Sequence, residues 1–185
     1  PAAGTRSVTF SRHLYVEEED FMEQPIPKYK RLYPEGPECR LKGAYLITCT
    51  GCVKDESGRV VEILATYDPD SSGGNPADGR KVKGATIHWV DASTAVDAQV
   101  RLYDNLFADE NPDGGDKDFL DCLNPGSLEV LEGCKLEASL AAAQPADRFQ
   151  FLRLGYFCAD SKDSKPGALV FNRAVSLKDG FKPGK

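Results

Sequence analysis

From position 40 to position 177 the chain is cut into short runs in which apolar and polar residues alternate, each closed by a cluster of turn formers. A period of two sends successive side chains to opposite faces of an extended strand, whereas a helix needs apolar residues three and four apart. RLKGAYLITCTGCV (40–53) sets Leu41, Tyr45, Ile47 and Cys49 against Arg40, Lys42 and Thr48, and is predicted as one strand. DESGR then turns the chain into RVVEILATYD (59–68), which makes the pair a hairpin. KVKGATIHWV (81–90), AQVRLYDNLF (98–107), SLEVLEGCKLE (127–137), DRFQFLRLGYFC (147–158) and ALVFNRAVSL (168–177) read as further strands. DPDSSGGNPADGR (68–80) is too polar and glycine-rich for anything but a loop. ASLAAAQPAD (138–147) has room for one helical turn before Pro145, and no helix longer than about three turns is expected. Short strands repeated at roughly 8–15-residue spacing predict an all-β barrel or sandwich, with two antiparallel β-barrels the expectation at this length. The acidic, glycine-rich stretch 109–118 is the expected seam between them.

With 185 residues, 41% of them apolar, the chain is long enough to bury a core. No run approaches the roughly 20 apolar residues of a membrane helix, and PAAGTRSVTF lacks the charged and apolar regions of a signal peptide. A start on Pro1 without an initiator methionine reads as a chain cut from a longer one, and FKPGK (181–185) as a frayed tail. Net charge is −6, which argues against an indiscriminate nucleic-acid binder. The signs are segregated, however. Acidic residues gather in Glu17 to Asp20 and in 109–121, basic ones in PKYKR (27–31), CRLK (39–42) and GRKVKG (79–84). Basic segments that meet on one face can still hold an RNA loop selectively. The six cysteines match no compact disulfide scaffold and are expected as reduced thiols of a cytoplasmic protein.

The one conspicuous chemical motif is Cys49-Thr-Gly-Cys52. A zinc site needs a second pair at matching spacing, and the next cysteine is Cys122. Positions three apart on a regular strand face opposite ways, so the two thiols are expected to diverge and pack. His13 and His88 lie far apart with no evident nucleophile beside them, and no phosphate loop, dinucleotide fingerprint or calcium loop is present. Glu17 to Asp20 read as a solvated surface. The residues therefore assign no catalytic group and no metal. They do assign a basic and aromatic patch, with Lys28, Lys30 and Arg31 interleaved with Tyr29 and Tyr33, then Arg40 and Lys42 two apart on one strand face. Rings for stacking beside cations for phosphates suit single-stranded RNA.

Six segments taken in order carry a further signal: PKYKRLYPEGPECRLKGAYLI, ATYDPDSSGGNPADGRKVKGATIHWV, VRLYDNLF, FLDCLNPGSL, FQFLRLGYFCADS and VFNRAVSLKD. Together they resemble the C-terminal anticodon-binding region of glutaminyl-tRNA synthetases, over nearly the whole chain. The IHWV form is more similar to these than to the archaeal and eukaryotic glutamyl-tRNA synthetases that share the two-barrel region. The resemblance implies one barrel inserted in the other, with residues 25–107 distal to the catalytic domain and residues 1–24 and 108–185 proximal. It implies that the anticodon loop of tRNA(Gln) is the partner, its bases splayed into pockets between the barrels. Gln150 and Arg153 match the positions for the middle base, a uracil. Lys30 and Arg31 match those for the third, a guanine, and Arg40 and Lys42 those for the first. Position 42 is Lys where a bacterial member of the family carries Arg, and a Lys is a point donor without a fork. Strict alternation puts Gln150 and Arg153 on opposite strand faces, so a bulge or strand end has to bring them together.

The family's ATP-binding HIGH-like and KMSKS-like motifs are absent from these residues. Ligation of glutamine to tRNA is thus expected of the full-length enzyme, a monomer, with ATP and glutamine held by an N-terminal catalytic domain and no cofactor in this part. Competing readings are a glutamyl-tRNA synthetase region, a ribosomal 5S-rRNA-binding barrel, and a protein-interaction barrel whose basic patch is only solvated.

Overall fold

A computed structural model of the chain describes residues 4–114 and 118–177. The tail FKPGK and residues 115–117 of the acidic stretch 109–118 lie outside the described residues. The fold is all-β, and its regular helical segments among those residues are three short 3-10 turns, Glu18–Asp20, Phe119–Cys122 and Ala138–Ala142. The last of these is the helical turn expected before Pro145.

Contacts divide the chain into two units, Pro1–Ser93 and Thr94–Lys185. Strand pairing joins Leu14–Val16 to the first unit and Val96–Tyr103 to the second. In the first unit, β1 (Leu14–Val16) pairs antiparallel with β6 (Trp89–Asp91). A four-stranded sheet runs in the order β4 (Val60–Asp68), β3 (Leu46–Lys54), β2 (Cys39–Leu41), β5 (Thr86–Ile87). Leu32, Cys39, Leu41, Ile47, Ile87 and Trp89 form its core. Asp91 is buried and fastens the N-terminal segment to it. Its Oδ1 accepts from the Ser11 hydroxyl at 2.6 Å and from the Ser93 N–H at 2.9 Å.

The second unit is a five-stranded sheet, β8 (Leu128–Leu136), β7 (Val96–Tyr103), β11 (Leu169–Ser176), β10 (Gly155–Ala159), β9 (Arg148–Phe151). One face of the sheet is the apolar one. Ala98, Val100, Phe157, Ala159 and Phe171 are buried inward with Phe149 and Phe151 against them, and Phe151 stacks on Phe157 with centroids 4.3 Å apart. Pairing is antiparallel except β2 with β5 and β7 with β11, which run parallel.

Two expected strands are in fact hairpins. Segment 40–53 breaks at Lys42–Tyr45, where Gly43 takes φ 71°, so β2 folds back on β3 with Cys39 opposite Ile47. Segment 147–158 breaks at Leu152–Leu154, where Arg153 takes φ 71°, so β9 folds back on β10. Left-handed backbone at one residue closes each turn. The DESGR hairpin forms as expected. Asp55 accepts from the Ser57 and Arg59 N–H groups, and Gly58 supplies φ 83°.

Candidate RNA-binding site

In the first unit the basic positions converge on one short strand. The Lys30 carbonyl accepts from the Ala85 N–H at 2.7 Å, the Arg40 N–H donates to the Ala85 carbonyl at 3.0 Å, and the Lys42 N–H donates to the Ile87 carbonyl at 3.0 Å. Residues 85–87 therefore hold Lys30, Arg40 and Lys42 side by side. The approach is close: a Cβ on Gly84 would sit 2.4 Å from the Glu38 carbonyl and 2.7 Å from Cys39 Sγ. Only a residue without a side chain fits there.

Lys30 and Lys42 are exposed. Lys42 lies in the β2–β3 turn rather than on the strand with Arg40, and its carbonyl accepts from the Trp89 indole N–H at 3.1 Å. Arg31 and Arg40 are both anchored. Arg31 Nη1 lies 3.2 Å from Asp20 Oδ1 and donates to the Glu19 carbonyl at 3.1 Å. Asp20 is fully buried, which corrects the reading of Glu17 to Asp20 as a solvated surface at its last residue, while Glu18 and Glu19 are exposed. Its main chain is locked as well, since its carbonyl accepts from the Leu32 N–H. A buried carboxylate needs a charged partner, and Arg31 is that partner. Tyr29 joins the same anchor through its hydroxyl, which donates to Glu19 O at 2.9 Å.

Arg40 donates from Nε to the Gly74 carbonyl, and its Nη1 reaches Thr86 Oγ1 at 3.5 Å. Gly74 belongs to the loop 68–80, which is ordered through side chains. The buried Ser71 hydroxyl accepts from the Leu46 N–H at 2.9 Å and donates to the Asp68 carbonyl at 2.6 Å. Arg80 bridges Glu38, Asp68 and Asp78 at 2.6, 2.6 and 2.9 Å. The Arg80 guanidinium holds the Asp68 carboxyl below its ordinary range. Asp20 carries no local sequence signal for its role, and of Arg80's partners only Asp78 is near in sequence, since Arg31, Glu38 and Asp68 lie 11 or more positions from the residues they pair with.

Gln150 and Arg153 sit in the second unit. Gln150 is on β9, exposed, and directly opposite Tyr156 of β10. Arg153 is exposed in the β9–β10 turn, beyond the strand's end at Phe151, so strand alternation no longer fixes its direction. The cation on β7 is engaged differently: Arg101 pairs with Asp163 at 2.7 Å and Asp160 at 3.5 Å. The Asp163 N–H, then the Asn172 amide and the Lys162 N–H, push the Asp160 carboxyl down to about 2. Arg101 is thus committed to structure.

The Cys49-Cys52 motif also reads differently in three dimensions. A bulge between Cys49 and Gly51 adds one residue, so the two cysteines oppose Ala65 and Ile63, which share a face. They do not diverge as regular alternation requires. Burial raises the Cys49 thiol above its ordinary value and pushes Cys39 up to about 11. Such thiols stay protonated and unreactive near neutral pH. Among the described residues no group of three or more His, Cys, Asp or Glu is placed to hold a metal ion. No helix of the described residues is long and apolar enough to cross a membrane.

The family described as tRNA synthetases class I (E and Q), anti-codon binding domain, matches the chain twice, over residues 1–68 and residues 86–160. The glutamine--tRNA ligase of Pseudomonas putida is 55% identical over 180 residues, which is 96% of this chain and 31% of that protein. Those of Clostridioides difficile and Bordetella pertussis are 50% and 54% identical over 98% of this chain and 32% and 30% of their own lengths. The chain spans about a third of the length of the relatives it matches.

Proposed function

The chain belongs to the anticodon-binding domains of the class I tRNA synthetases for E and Q, and we propose that it grips the anticodon loop of tRNA(Gln) as part of a glutamine–tRNA ligase. The observation that carries this reading is the convergence of Lys30, Arg40 and Lys42 on residues 85–87, with Arg31 fixed beside them by Asp20. Two exposed ammonium groups and two anchored guanidinium groups make a site for a polyanion whose bases are unstacked. In this reading Lys30 and Arg31 meet the third anticodon base, Arg40 and Lys42 the first, and Gln150 and Arg153 the middle one. A uracil there offers carbonyl oxygens to the guanidinium and amide donors, whereas cytosine turns an amino group toward them.

Glutamine activation with ATP belongs to a catalytic domain outside these residues, and the enzyme works as a cytoplasmic monomer. The anchoring of the two arginines supports base reading over loose charge attraction, because a fixed fork loses little rotamer freedom on binding. The test is filter binding of the chain to glutamine, glutamate and unrelated tRNAs across a salt series. Preference for the glutamine tRNA is expected. Lys30→Ala and Lys42→Ala should each lower the slope of log K against log salt by about 0.7–0.9 for every phosphate the missing ammonium would have neutralised. Equal binding to all three tRNAs overturns the proposal.

A further inference from the structure

The inward face of the second unit's sheet already holds its aromatic core, Phe149, Phe151, Phe157 and Phe171. Its outward face nevertheless carries Tyr156, the second residue of β10, 48% exposed and outside that core. Cross-strand register places Gln150 directly opposite Tyr156, and Arg148 opposite Cys158 two residues along the same face. On the other flank Val175, 57% exposed, opposes Tyr156. Gly155, just before Tyr156, keeps β10 tight on β11: a Cβ there would lie 2.3 Å from the Val175 carbonyl. The tyrosine therefore stands on a strand paired on both flanks, beside a register shift against β11.

We infer that Tyr156 is a stacking platform for one unstacked RNA base, with the Gln150 amide positioned to hydrogen-bond the edge of that base. The inference rests on the proposed anticodon-loop function and adds a base-stacking residue to it. A phenol ring bordered by an amide, a guanidinium and an aliphatic side chain matches what a splayed nucleobase presents. The base offers a π-face to the ring, donors and acceptors on its edge to Gln150, and a phosphate to Arg148. A protein partner would fit the ring and Val175 but would leave the amide and guanidinium less directly used.

The test uses the 185-residue chain and the anticodon stem–loop of a glutamine tRNA, with 2-aminopurine placed at each anticodon position in turn. Tyr156→Phe should bind within about twofold of the original chain. Tyr156→Leu should weaken binding about five- to 150-fold. It should leave the salt slope unchanged, since stacking releases no counter-ion. It should also abolish the fluorescence change at one base position only. Arg148→Ala should instead lower the slope by about 0.7. The inference fails if Tyr156→Leu binds like the original, as expected were the ring a docking point for protein. It fails equally if affinity and salt slope fall together. If the unaltered chain does not distinguish the glutamine stem–loop from an unrelated one, the proposed function falls, while the base-specific fluorescence change still decides stacking at Tyr156. An unchanged unfolding midpoint for all three variants assigns any effect to the surface.

Discussion

The guanidinium of Arg31 already has Asp20 and the Glu19 carbonyl as partners, so a base or phosphate meeting it finds a donor whose direction is set in advance. The same arrangement makes the residue structural. Removing the guanidinium takes one charged partner from a fully buried carboxylate, and hydrogen bonds to charged groups are worth about 1.5–3 kcal/mol. Because Arg31 is itself about a third exposed, a loss nearer about 1–2 kcal/mol is expected for Arg31→Ala. Urea unfolding should show that loss, with part of it recovered in the double variant Arg31→Ala, Asp20→Asn. No recovery would mean that Asp20 is held by other groups. Lys30→Ala, which removes an exposed side chain, should leave the urea midpoint alone. Asp20 was unreadable from the sequence for a concrete reason. Four consecutive acidic residues look solvated, and the cation that permits burial of the last one lies 11 positions downstream.

At the scale of the element, the close approach at Gly84 decides how β2, β5 and the Lys30 segment fit together. Gly84→Ala drives a methyl into the Glu38 carbonyl and the Cys39 sulfur, and over-packing of this kind costs about 1–3 kcal/mol. Because the same strand carries the hydrogen bonds of Lys30, Arg40 and Lys42, RNA affinity should fall with stability. A full-affinity Gly84→Ala chain would uncouple the cluster from this strand. Alternation and turn residues made the all-β class and the DESGR hairpin legible. The same alternation hid the turns at Lys42–Tyr45 and Leu152–Leu154, since apolar residues continue through both and neither contains Asn-Gly or Asp-Gly. For the candidate site this mattered directly, because Lys42 and Arg153 prove to be turn residues. The parallel pairings of β2 with β5 and β7 with β11 join residues far apart in sequence, and no local pattern encodes them.

Across the whole molecule, each unit holds a carboxylate well below its usual range. The Ser11 hydroxyl is the first cause for Asp91, and the Asp163 N–H for Asp160; each stands at about 2 against an ordinary 3.8. A carboxyl whose folded value is depressed stabilises the fold above its unfolded value. That contribution drains away as pH falls from about 4 to about 2. Urea midpoints measured through that window should fall steeply. Asp160→Asn should be less stable than the original chain at about pH 7 and should lose less on acidification; an identical acid profile would rule Asp160 out as a source. The parallel pairing of β7 with β11 also shapes how the protein is made. Leu169 meets Ala98, about 70 positions earlier, and ribosomes add roughly 5–20 residues each second. For several seconds during synthesis, then, β7 has emerged with one edge bare. The nascent second unit must pass through that interval without pairing that edge to a neighbouring chain.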